Sequence, residues 1–417
     1  MIRAIVERKE RHNRMQVVLD AQSWLTCCLT VVLAIGAVSS RRLAAETVLV
    51  KAETVHTVDG DVLSPGQVLI KDGKIAAVAG EITDAGDAKV IEVAALMPGI
   101  VNASSRAGLR GGGAEVSREV TPEFNTARAI DWRAREFAEA RDQGVTTLQI
   151  LPETQSVFSG FACVVKSAAE SESRMVNPRR GVVIAVCSDP TSRNRSRSRP
   201  DSIYVRQPTN RMGVVWIIRS TLHRTQQGQA SDALAPQTTE ILSGVLDGTY
   251  PVLSVSRMDY DVRSALKLGE TFGFVPTIYG GDEVYRMVDE FKASGAPLVY
   301  TALTTNASGR SLRGSEGSQL RWNVPGKLNE AGVNFCLGGE NLLDQARFAV
   351  RFGLPRDAAL EAITLRPAKI MSLEKRIGSI SVGKDADLVG LSGDPLQPTT
   401  SVVWTMVGGN IYDKHRE

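Results

Sequence analysis

Few side chains in this sequence have the chemistry for a reaction, and their types limit which reaction. Carboxylates are the candidates for proton transfer: the adjacent pair Asp282-Glu283, and Glu340 in Leu337-Gly338-Gly339-Glu340-Asn341. Two carboxyl groups in one cleft can divide the general acid and general base roles. Lys166 ends the run Phe161-Ala162-Cys163-Val164-Val165. It reads either as an amine near a reaction centre or as a lysine snorkelling at a strand end. Metal chemistry on imidazole has little material. The four histidines, His12, His56, His223 and His415, are scattered from one end of the chain to the other and do not suit a shared site. Cys163, Cys187 and Cys336 have mostly apolar neighbours, which suits buried thiols better than a disulfide framework.

These residues need a scaffold, and the chain spells one out. Val68-Leu69-Ile70-Lys71 and Lys74-Ile75-Ala76-Ala77-Val78 flank Asp72-Gly73, a strong signal for a β-hairpin with a type I′ turn. Between Thr126 and Gln143, Ile130, Ala134, Phe137 and Ala138 share one helical face, and Gly144 suits the position after the helix end. Val145 to Leu151 follows as a buried strand. The unit recurs: strands at 251–255, 274–278, 297–303 and 333–337 alternate with helical patterns, the last at 342–352 and 356–365. Repeated βα units predict a parallel sheet covered on both faces, and their number suits a (β/α)8 TIM-like barrel within the α/β class. Phe161 to Lys166 and Gly181 to Cys187 are strand-like runs with no assigned place in that order. After residue 364 β character returns, with a hairpin of 402–406 and 410–412 around Gly408-Gly409.

The stretch Met97-Pro98-Gly99-Ile100-Val101-Asn102-Ala103-Ser104-Ser105-Arg106 resembles the opening barrel strand of the amidohydrolase superfamily, especially its imidazolonepropionase-like branch. Arg376-Ile377-Gly378-Ser379-Ile380-Ser381-Val382-Gly383-Lys384-Asp385-Ala386-Asp387-Leu388-Val389 resembles that superfamily's C-terminal signature. Thr364 to Lys369 is similar to the helix before it. The resemblance spans about residues 46–417. It implies a barrel over 97–365 and a composite β-sandwich from 46–96 and 366–417, with an irregular insertion near 188–210. It also implies zinc or another divalent metal at the barrel mouth, held by four histidines and an aspartate, and hydrolysis of C–N bonds such as those of cyclic amides or peptides.

At the matching positions those ligands are replaced. Asn102 stands for the aspartate of the first strand, and Ser104 and Arg106 for its two histidines. Val255, in Pro251-Val252-Leu253-Ser254-Val255-Ser256-Arg257, and Tyr279, in Val275-Pro276-Thr277-Ile278-Tyr279-Gly280-Gly281, stand for the next two histidines. Glu340 stands for the final aspartate. Glu283 matches a glutamate common in the branch, and Lys166 a lysine that some relatives carry near the metal. A guanidinium at a ligand position repels a cation. The expectation is therefore a metal-free pocket lined by Asn102, Ser104, Arg106, Val255, Tyr279 and Glu340, with no cofactor. Arg106 is expected to pair with Glu340, because the first and last strands of a barrel are neighbours. Three functions are open: a degenerate, metal-free homologue that binds a small molecule or partner; an active hydrolase rebuilt on Glu340, Glu283 and Lys166; and a structural subunit, in a homo-oligomer or beside an active paralogue.

Composition bounds the partners. With 49 basic and 46 acidic residues the chain carries a net +3. The first 45 residues hold seven basic and three acidic residues, which leaves 42 against 43 and a net charge of −1. A near-neutral body has no overall drive toward nucleic acid. The basic Arg3 to Arg14 segment followed by the apolar run 24–40 has the pattern of a secretory signal peptide, with an uncleaved membrane anchor as the alternative. Either places the protein in, or facing, the periplasm. The Ser/Arg-rich stretch 191–199 reads as a solvated insertion loop, with a patch for an anionic partner or RNA as the alternative.

Overall fold

Asp72 and Gly73 both take positive φ, 52° and 71°, as a type I′ turn requires. They join β2 (Gly66–Lys71) to β3 (Lys74–Ala79), the antiparallel hairpin predicted from sequence. The computed structural model describes residues 47–413 apart from 111–112, 114, 169–170, 193–206, 230–234 and 304–318. The leader, His12, His415 and most of the Ser/Arg-rich stretch lie outside the described residues.

One seven-stranded sheet draws on both ends of the described chain. Its order is β15-β14-β13-β4-β1-β2-β3, where β1 is Val48–Val55, β4 Lys89–Pro98, β13 Leu388–Leu391, β14 Val402–Val407 and β15 Asn410–Asp413. Only Leu388 and Val389 of the 376–389 signature lie in a strand. The remainder makes turns that carry side chains back toward the barrel. Instead of two packed sheets, the strands form one hydrogen-bonded sheet, because β1 pairs in parallel with β4 while β4 pairs antiparallel with β13. The sheet curls on itself: Ile75 N–H donates to Lys384 O (3.0 Å) and Ala386 N–H to Gly73 O (2.8 Å).

Gly99 alone separates β4 from β5 (Ile100–Ser105), the first barrel strand. A Cβ there would collide with the Thr146 side chain, so the close approach of the two sheets requires glycine. The second sheet has eight strands in the order β12-β11-β10-β9-β8-β7-β6-β5. These are β6 (Val145–Ile150), β7 (Phe158–Lys166), β8 (Met175–Ala185), β9 (Val252–Ser256), β10 (Thr277–Gly280), β11 (Leu298–Tyr300) and β12 (Phe335–Leu337). It curves into a nearly closed barrel.

Two departures from the sequence expectation matter. The runs without an assigned place become β7 and β8, and β7 is antiparallel to both neighbours. The connections 151–157 and 167–174 are too short for the crossover that parallel neighbours need, so the barrel is not eight uniform βα units. The helical pattern over 126–143 also shortens, to a turn at Thr126–Arg128 and a helix at Arg135–Asp142. That helix ends before Gly144 (φ 83°), as expected. It docks on the other sheet, where Thr405 Oγ1 donates to Arg141 O at 2.7 Å.

Strand alternation decides what faces the barrel axis. Val101, Ala103, Ala162, Val164, Val183, Leu253, Tyr279, Val299 and Cys336 form one buried cluster, with Ala368, Ile370 and Ile377 beneath them. Helices over Leu342–Arg351 and Arg356–Ile363 cover the outside of the barrel with Leu342, Ala346, Ala349, Ala359 and Ile363, all buried. Each fully buried Leu or Ile adds about 1.5–3 kcal/mol of favourable transfer.

Candidate functional site

The C-terminal ends of β5, β9, β10 and β12 open on a cavity of about 710 Å³. Asn102, Ser104, Arg106, Val255, Tyr279 and Glu340, six residues chosen from sequence alone, all line it. Val255 lies opposite Tyr279 in the β9–β10 register. Ser254 and Ser256 bond to each other at 2.9 Å and are buried. The strand register therefore puts the valine, not a serine, on the cavity.

Asn102 is committed on both amide atoms. Its Nδ2 donates to the Gly339 carbonyl at 2.8 Å, and its Oδ1 accepts from the N–H of Ser104 at 2.9 Å and of Gly339 at 3.3 Å. It ties the first barrel strand to the loop after the last. Tyr279 is buried, and its hydroxyl accepts from Gln149 Nε2 at 2.8 Å. Burial pushes the phenol above its ordinary range and keeps it protonated.

The divalent metal that the resemblance implies does not fit these residues. Zinc-like ions take neutral imidazole, thiolate or carboxylate. The cavity instead presents an amide already bonded to backbone, a serine, a guanidinium, an alkyl side chain and a phenol held protonated. Only Glu340 offers a carboxylate at the matched positions. The other described histidines lie elsewhere. His56 follows β1, where burial lowers its pKa. His223 packs edge-on against Phe272, with ring centroids 4.8 Å apart.

Three expectations fail. Arg106 and Glu340 share the cavity but form no ion pair among the described residues, and both are exposed. Neighbouring strand ends bring their backbones close, yet each side chain reaches water and gains little by pairing. Lys166 is not at the mouth. Because β7 runs antiparallel, Lys166 lies opposite Thr147, at the start of β6 and the other end of the barrel. There its side-chain nitrogen bonds Asp387, and Asp385 at 3.3 Å, so its partners lie on the C-terminal segment and not on the cavity. Glu283 is buried beside the cavity but does not line it. One oxygen accepts from Gln319 N–H at 2.8 Å and the other pairs with Arg286 at 3.1 Å.

Arg257, Asp189 and Thr154 form a rim group that the sequence reading missed. Arg257 meets Asp189 with two bonds of 2.7 Å, and Thr154 Oγ1 also donates to Asp189. Burial would raise the Asp189 carboxyl, but the hydrogen bonds and charge of Arg257, with Thr154 and Cys187, hold it below the usual range. The available signal was a charge immediately after a strand, Arg257 following β9. Its partner opens the insertion and could not be foreseen.

The model of the amidohydrolase family matches residues 321–412. An amidohydrolase named tasK from Hapsidospora irregularis is 33% identical over 76 residues, 18% of this chain. The match spans 8% of that much longer protein. A solved amidohydrolase from Thermotoga maritima superposes with TM-score 0.78 and 27% identity, covering 88% of this chain and all of that one. A zinc-bound adenosine deaminase from Xanthomonas campestris, 17% identical with TM-score 0.53 over 87% of this chain and 92% of its own, shares the fold alone. The full-length likeness to the Thermotoga protein and the family match over residues 321–412 agree with the barrel and its strand-end cavity, and together they support a place for the chain in the amidohydrolase superfamily.

Proposed function

We propose that this chain is a metal-free member of the superfamily whose barrel mouth binds a small molecule or a partner rather than hydrolysing a C–N bond. One observation carries the reading: of the cavity positions that the resemblance matches to metal ligands, only that of Glu340 carries an imidazole, thiolate or carboxylate. Without the metal, water keeps its ordinary pKa and the family's hydroxide nucleophile is lost. The leader pattern supports export, which would place the binding site outside the cytoplasm.

The rebuilt-hydrolase reading keeps one point of support. Glu340 lines the cavity, and its carboxylate has no partner among the described residues, so it is free to act as a base. Turnover assays on cyclic amides and dipeptides, with the chain as purified and after incubation with zinc or manganese, separate the two. The binding reading predicts no turnover in either state. Turnover abolished by Glu340→Gln would establish the hydrolase.

A further inference from the structure

The cavity carries charges that the protein itself leaves unanswered. Arg257 is neutralised by Asp189, and Glu139 pairs with Arg135 at 2.9 Å. Arg106, at the end of β5, Glu340, after β12, and Glu136, on the helix over Arg135–Asp142, have no charge partner among the described residues, and of the two carboxylates Glu340 is the one on the strand-end rim with Arg106. Arg106 and Glu340 stand on the same rim, since Asn102 binds the Gly339 backbone between them. They nevertheless lie beyond the 4 Å limit of an ion pair, as no bridge joins them. Opposite charges that share a cavity wall without touching are complementary to a ligand that carries both.

Resting on the reading of the mouth as a metal-free binding site, we propose that it takes a small zwitterion of amino-acid chemistry, its carboxylate on Arg106 and its ammonium on Glu340. A simple acid would set its carboxylate on Arg106 but face Glu340. A simple amine would reverse the problem. A zwitterion satisfies both, and a planar guanidinium suits a carboxylate better than any neutral donor. Leu151, Val255 and Ala107 give the same cavity an apolar surface for a side chain. Arg106 would then provide, for a ligand anion, the positive charge that a metal provides elsewhere in the fold.

The test is a blocking series on the full chain at low ionic strength. L-leucine and glycyl-L-leucine are each titrated free, N-acetylated, amidated and doubly blocked. At least one free zwitterion should bind tightest, and each block should weaken it by about two- to fivefold, the worth of an exposed ion pair. Arg106→Gln should abolish the penalty for amidation and keep that for acetylation, and Glu340→Gln should do the reverse. Both side chains are exposed, so both variants should fold, which circular dichroism checks. Doubly blocked ligands binding as well as free ones, or no binding by any of the eight, would overturn the proposal. The same samples are analysed for zinc and for cleavage of glycyl-leucine. Bound metal or cleavage would defeat the metal-free reading, while the blocking pattern alone decides the zwitterion.

Discussion

The side-chain amide of Asn102 holds the backbone of Gly339 from both sides, donating to its carbonyl at 2.8 Å and accepting from its N–H at 3.3 Å. The position that the resemblance matches to the first strand's aspartate here joins the first and last strands of the barrel. The amide is a structural clamp.

That clamp predicts the cost of losing it. Asn102→Ala should destabilise the fold by about 1 kcal/mol, since the half-buried backbone groups of Gly339 lose their partner. Asn102→Asp, which restores the family residue, should also lower the urea midpoint, because a carboxylate oxygen would then face the Gly339 carbonyl. An aspartate variant as stable as the wild type would show that the clamp contributes little.

Tyr279 and Gln149 give a second prediction. Both are buried in the barrel, and Gln149 Nε2 donates to the tyrosine hydroxyl. Tyr279→Phe should cost about 1–3 kcal/mol by stranding the amide, whereas replacing both, Tyr279→Phe with Gln149→Leu, should recover much of that loss. A double-mutant cycle in urea measures the coupling. Additive losses would contradict it.

A third prediction concerns acid. Burial alone would raise the Asp385 carboxyl, but its hydrogen bond from Lys74 and the charges of Lys166, Arg376 and Lys74 outweigh burial and hold it below the usual range. A depressed carboxylate pKa stabilises the fold above the unfolded value of about 3.9 and ceases to do so as pH falls through the folded value. Urea midpoints should therefore fall below about pH 4, and Asp385→Asn should flatten that fall while lowering stability at pH 7. Lys166→Met, which leaves the buried Asp387 facing Asp385 without their shared cation, should cost about 3–5 kcal/mol at neutral pH. An unchanged acid limb in the asparagine variant would assign the acid sensitivity to other groups.

How far the sequence carried depends on what each feature rests on. The Asp72-Gly73 turn, Gly144 after its helix and the six cavity residues were legible, because turn chemistry, period and a motif's frame are local. The direction of β7 was not, since pairing partners are chosen across the barrel, and Lys166 went with it. A lysine at a strand end reads the same whether that end is the mouth or the floor. Glu283 was misplaced for a related reason: its carboxylate is taken by Gln319 N–H, from a later loop, and by Arg286 in the turn that follows it. Arg106 and Glu340 were correctly brought to one cavity, but side-chain exposure, which decides pairing, is not written in strand order.

The most direct test is the zinc content of the full chain after incubation with excess zinc and desalting. Loss of even one supporting contact around a metal typically costs ~10–100-fold in affinity, and here the imidazoles themselves are absent. The account predicts far less than one zinc per chain, unchanged by Glu340→Gln. About one zinc per chain that survives dialysis and disappears in Glu340→Gln would contradict it.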